Sequence, residues 1–202
     1  MSSTNKQAEY HALKMARKKA QIEASIEKAD SEKGVLIVIT GQGKGKSTSG
    51  FGMVARALGH GLKVGVCQFI KSRTDTGEEA FFKEQPLCEW HVLGDGFTWD
   101  TQNLDQDIAT TKRAWEVASK MLSDTSYDLV LLDELTYLLS YHYLDKEMVL
   151  AALKNRPEQQ HVVITGRSAI IELRELADTV SDIKEEKHAY KNGIMAQKGV
   201  DF

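Results

Sequence analysis

From residue 34 onward two kinds of hydrophobic pattern alternate along the chain. GVLIVIT (34–40), VGVCQFI (64–70), YDLVLLDE (127–134) and HVVITG (161–166) are short apolar runs without polar alternation. Runs of that length and character predict strands buried on both faces. CEWHVL (88–93) is a further strand candidate. Between these runs, STSGFGMVARALGHG (47–61), DIATTKRAWEVASKML (107–122), DKEMVLAALKN (145–155) and SAIIELRELA (168–177) space their apolar residues as amphipathic helices do. Asp145 and Ser168 stand where N-caps are expected, and Gly59 and Gly61 where a C-cap is. The alternation predicts an α/β fold: a mostly parallel sheet with helices on both faces.

Residues 1–33 break this pattern. They are rich in Lys, Arg, Glu, Gln and Ala, hold no Gly or Pro, and show only thin periodicity (Leu13, Ala16, Ala20; Ile22, Ile26). This reads as an N-terminal helical arm (1–33) on a core domain (34–202), with a solvated terminus as the plain alternative. Composition adds exclusions. With 26 basic and 29 acidic residues and a net charge of −3, no overall field recruits nucleic acid or an anionic membrane. No apolar run has membrane-span length, and MSSTNKQAEYHALK lacks the apolar segment of a signal peptide. Cys67 and Cys88 have no metal-like spacing and read as small core residues. A reduced, cytoplasmic setting is expected.

The strongest chemical signal is TGQGKGKST (40–48), between a predicted strand and a predicted helix. Its Gly45-Lys46-Ser47 ends the phosphate-loop pattern G-x-x-x-x-G-K-[ST], with Thr40 in place of the first glycine. Gly41, Gly43 and Gly45 permit positive φ, so the backbone N–H groups of Gln42, Lys44 and their neighbours through Thr48 can converge on phosphate oxygens. The helix presents its positive end there, Lys46 adds charge, and the Ser47 hydroxyl suits Mg²⁺. Asp133 and Glu134 end an apolar strand, where open α/β sheets hold ligands, and are candidate Mg²⁺ ligands. Arg167 ends another strand on the same expected edge, which leaves open both a phosphate contact and a surface ion pair. The implied object is a Mg-nucleotide site on a P-loop NTPase-like (RecA-like) domain.

Several reaction classes lose support. A guanine-reading Asn-Lys-x-Asp is missing, a kinase-type basic lid would rest on Lys71 and Arg73 alone, and DNA-facing basic loops are not evident. The loop GDGFTWDTQN (94–103) sets Phe97 and Trp99 together in a polar, Gly-rich stretch. By themselves they either cap the core or face a ligand with a large flat apolar surface.

TGQGKGKST, ARALGHGLKVGVCQFIK, DGFTWDTQN, LVLLDELTYLLSYHYL, HVVITGR and LADTVSDIKEEKHAY…AQKGVDF resemble, in that order, the P-loop ATP:corrinoid adenosyltransferases. The resemblance covers roughly residues 34–202, and the Thr at the first glycine position suits it. Acidic Asp182, Glu185 and Glu186 depart from a stretch that this family often makes more basic. The resemblance implies transfer of the adenosyl group of Mg-ATP to the Co(I) of a reduced corrinoid, with triphosphate released. It implies phosphate contacts from Lys44 and Arg56 beside the catalytic Lys46, and an ATP reversed relative to other P-loop enzymes. It assigns Phe97 and Trp99 to the corrin's lower face, where they displace an axial ligand. It further implies a homodimer whose arm folds over the partner's site, and an electron-donor protein such as a reduced flavoprotein. A nucleotide-dependent corrinoid-binding chaperone, or another RecA-like ATPase, is the rival reading.

Overall fold

In the computed structural model, which describes residues 3–70, 75–94 and 104–202, the apolar runs form strands. They are β1 (Leu36–Thr40), β2 (Val64–Gln68), β3 (Cys88–Val92), β4 (Leu129–Asp133), β5 (His161–Thr165) and β6 (Thr179–Asp182). One sheet contains them in the order β3-β2-β4-β5-β1-β6, and every neighbouring pair is parallel. The helices are α1 (Ser3–Glu27), α2 (Lys46–Gly59), α3 (Gly77–Phe82), α4 (Leu104–Ser123), α5 (Leu135–Ser140), α6 (Lys146–Lys154) and α7 (Ile171–Leu176), before a 3₁₀ turn at Tyr190–Asn192.

Alternation along each strand divides the core in two. Val130 and Leu132 join Leu36, Val38, Val162 and Ile164 on the face covered by α4, α5, α6 and α7. Leu129 and Leu131 point the other way, joining Ile39, Val66 and Val163 beneath α2 and α3. Side chains two residues apart share a face, so a strand covered on both sides must be apolar throughout. All five residues of β2 and of β4 are buried; each strand is apolar up to its last residue, and those polar ends, Gln68 and Asp133, hydrogen-bond each other. On the second face Trp90, Phe51 and Phe82 form a three-ring cluster, with Trp90 stacked on each phenylalanine at centroid distances of 5.4 and 5.9 Å and the two phenylalanines 6.1 Å apart.

Helix ends follow local chemistry in most places. The Asp145 carboxylate accepts from the N–H groups of Glu147 (2.8 Å) and Met148 (3.4 Å), as an N-cap does. α2 closes with Leu62 N–H donating to Ala57 O and Gly61 N–H to Leu58 O, while Gly61 takes φ 75°. That pair of bonds is the Schellman closure for which glycine is suited.

Ser168 is not a cap: it sits at φ 56° in the turn after β5, and α7 starts at Ile171 behind Ile170. Three elements went unread in the sequence. β6, TVSD, is a fully exposed edge strand with no apolar run to mark it. α3 and α5 have six residues each, fewer than two turns, too short for periodicity to register.

The chain divides into two compact units, Met1–Lys33 and Gly34–Phe202. Within the first, α1 exposes Tyr10, Leu13, Met15, Ile22 and Ile26. Among the described residues no helix is long and apolar enough to cross a membrane.

Candidate active site

Parallel pairing brings several strand ends to one edge of the sheet. In register, Ile39 lies beside Thr165, Thr40 beside Asp182, and Gln68 beside Asp133. The segments that follow these strands therefore crowd together: the loop 41–45, Glu134, and Gly166-Arg167.

The loop's shape comes from its glycines. Gly41 has φ 104°, and a Cβ there would stand 2.4 Å from Ile183 O. A Cβ on Gly43 would stand 2.4 Å from Lys184 O, and the Gly43 N–H donates to Ile183 O at 2.8 Å. Residues 183–184 thus press on the loop from the β6 side, and only glycine allows the approach. Gly45, at φ 113°, leads into α2 without a capping side chain. The first N–H groups of α2 open toward the cleft, the usual arrangement for an anion.

That cleft, of about 230 Å³, is lined by residues 42–48 together with Glu78, Glu134, Arg167, His188, Val200 and Asp201. Lys46 is buried, and its ammonium donates to Gly43 O at 2.6 Å. Burial pushes its pKa down; Glu134 opposes that shift most strongly, Arg167 adds to it, and Asp133 opposes it in turn. Glu134 and Asp133 thus offset part of the cost of desolvating the ammonium. An incoming anion would strengthen the same effect.

The two acids after β4 have different positions. Asp133 is fully buried: Thr165 Oγ1 donates to its Oδ1 at 2.6 Å and Gln68 Nε2 to its Oδ2 at 3.1 Å. Thr165 Oγ1 in turn accepts the Glu134 N–H at 3.0 Å. Asp133 therefore braces the strand ends from behind, and Glu134, at φ 64°, turns into the cleft. Arg167 is held by α5. Thr136 Oγ1 donates to its carbonyl at 2.6 Å, and its guanidinium lies near the Tyr137 hydroxyl.

Gln42, Gly43, Lys44, Gly45, Lys46, Ser47, Thr48, Glu134 and Arg167 thus share one cleft. Gly41 lines the adjoining hollow beside Asp182 and Arg174 instead. Arg56 is not brought to the cleft: it is exposed in the last turn of α2, about 15 Å along the axis from Lys46. Phe97, Trp99, Lys71 and Arg73 lie outside the described residues. Glu78, His188, Val200 and Asp201 were missed as cleft residues. They come from three separate segments, and no local spacing links them to the loop. Among the described residues no cluster of three or more His, Cys, Asp or Glu could hold a metal by itself.

Comparison with known proteins bears on this edge of the sheet. A family model described as "ATP:corrinoid adenosyltransferase BtuR/CobO/CobP" matches residues 32–202. A "Corrinoid adenosyltransferase" of Pseudomonas aeruginosa is 52% identical over 203 residues, covering 100% of both chains. One of Escherichia coli K12 is 47% identical, across 96% of this chain and 98% of its own. The "Corrinoid adenosyltransferase CobA" of Salmonella typhimurium is 43% identical over the same shares. With the family model covering the whole core and such relatives matched nearly end to end, the chain belongs to the ATP:corrinoid adenosyltransferase family.

Proposed function

We propose that the protein transfers the 5′-deoxyadenosyl group of ATP to the Co(I) of a reduced corrinoid. The convergence of residues 42–48, Glu134 and Arg167 on one cleft, in a chain of this family, carries the reading. In this step the cobalt electron pair forms a Co–C bond with the 5′-carbon, the C5′–O bond breaks, and its electrons leave on triphosphate. No water needs activation and no protein hydroxyl attacks. The protein's task is to hold the triphosphate in line and offset charge building on the leaving oxygen. Lys46, the loop N–H groups and the start of α2 suit that task, with Lys44 and Arg167 as further cations.

Mg²⁺ fits the oxygen donors present. The Ser47 hydroxyl and the Glu134 carboxylate line the same cleft, and Asp133 steadies Glu134 through Thr165. Such a hard cation keeps several waters and needs few protein ligands when phosphates supply the rest. When bound, it would neutralise phosphate charge. Phe97 and Trp99 are assigned to the corrin's lower face, where apolar rings cannot coordinate cobalt. A cytoplasmic homodimer supplied by a reduced flavoprotein completes the proposal.

The test is anaerobic incubation with ATP, MgCl₂ and chemically reduced cobalamin, following the corrin spectrum. Adenosylcobalamin and triphosphate should form together; release of phosphate without cobalt alkylation would refute the reading. Lys46→Ala should lower the rate at least ~100-fold, the scale seen when a charge-stabilising donor is removed.

A further inference from the structure

Beyond the 3₁₀ turn the chain returns to the phosphate loop. The Gln197 N–H donates to Asp201 Oδ2 at 2.8 Å, and the Asp201 N–H donates back to Gln197 O at 2.8 Å. The Gly199 N–H donates to Phe202 O at 2.7 Å, with Gly199 at φ 80°. This closed turn sets Val200 and Asp201 into the wall of the cleft. There Lys44 Nζ donates to Asp201 Oδ1 at 2.5 Å.

The two lysines of the loop therefore differ. Lys46 is buried and tied to its own loop, whereas the Lys44 side chain is 46% exposed and tied to a carboxylate 28% exposed. An ion pair open to water is weak and screened, so its partners exchange readily. The carboxylate is also anchored by the Gln197 N–H, independently of the lysine.

Building on the phosphate reading of this cleft, we infer that Asp201 is a resident competitor for Lys44. A polyphosphate entering the cleft takes the Lys44 ammonium from Asp201, and Asp201 reclaims it as the polyphosphate leaves. The Lys44 hydrogen bond, and after it the Gln197 N–H, hold the Asp201 carboxyl below the usual range, so it stays ionised at neutral pH. A fixed negative charge beside the loop opposes free triphosphate more than esterified triphosphate, because breaking the C5′–O bond leaves one more negative charge. Asp201 thus limits how tightly the product is held.

Titration calorimetry with inorganic tripolyphosphate tests this on the full chain, as wild type, Asp201→Asn, Lys44→Ala and the double variant. Asn keeps an acceptor for the Gln197 N–H, and Asp201→Ser serves if that variant misfolds. Asp201→Asn should lower Kd about two- to fivefold, the scale of an exposed ion pair, and this gain should vanish in the Lys44→Ala background. An unchanged or higher Kd overturns the competition, as does an equal gain in both backgrounds, which would mean a general field effect. Failure of tripolyphosphate to bind any of the four overturns it together with the phosphate reading. Corrinoid alkylation by wild type, read separately by spectrum, reports on adenosyl transfer independently.

Discussion

Gly43 and Gly52 are nine residues apart and answer to opposite constraints. A Cβ on Gly43 meets the Lys184 carbonyl at 2.4 Å; one on Gly52, on the exposed side of α2, meets nothing within 4 Å. Gly43→Ala should destabilise the protein by about 1–3 kcal/mol, because backbone must shift to admit the methyl group. Gly52→Ala should stabilise it by about 0.4–1 kcal/mol, since alanine restricts the unfolded chain and favours helix. Urea unfolding of both variants measures the contrast, and a neutral Gly43→Ala would mean that residues 183–184 do not press on the loop. The cysteines show the same link between place and chemistry. Burial pushes the Cys67 thiol up to about 12 and the Cys88 thiol up to about 11, so neither offers a thiolate near neutral pH. Both behave as packing residues, as their spacing implied.

At the scale of elements, the short helix α5 holds the turn after β5. Thr136 Oγ1 donates to the Arg167 carbonyl, and a Cβ on Gly166 would meet Thr136 Oγ1 at 2.2 Å. Thr136→Val preserves shape but removes the donor. It should cost about 1–2 kcal/mol of stability and raise KM for ATP roughly threefold or more, with a smaller change in kcat. Thr136→Ser should restore both. Equal KM values for Val and Ser would remove Thr136 from the positioning of Arg167. α5 is also where sequence reading was weakest. LTYLLS has strong apolar content, but six residues cannot display a period, and its role depends on a turn some thirty residues away.

For the whole molecule, the first compact unit is a long helix with an apolar stripe of its own. Met15, Ile22 and Ile26 are exposed on α1 at spacings of seven and four, which places them on one stripe. In the proposed homodimer this stripe has a partner subunit to cover it. Light scattering should find a dimer at micromolar concentration, and monomer alone would overturn that assembly. If the arm completes the partner's site, Lys46→Ala chains mixed with Met15→Ser, Ile22→Ser, Ile26→Ser chains should be more active than either alone. Activity no greater than the sum of the two would show that the arm does not act across subunits.

Sequence alone determined the sheet's inner strands and the loop between β1 and α2. Both depend on local rules: continuous apolar runs need two covered faces, and a Gly-rich turn before a helix gathers N–H groups. It also placed Glu134 and Arg167 on the right edge, because parallel strands end together. Tertiary structure decided what surrounds the loop. Only the folded chain sets residues 183–184 against Gly43, separates buried Asp133 from cleft-facing Glu134, and brings Asp201 to Lys44 across 157 positions. Those contacts join segments far apart in the chain, and their geometry follows from strand order and packing rather than from any local period.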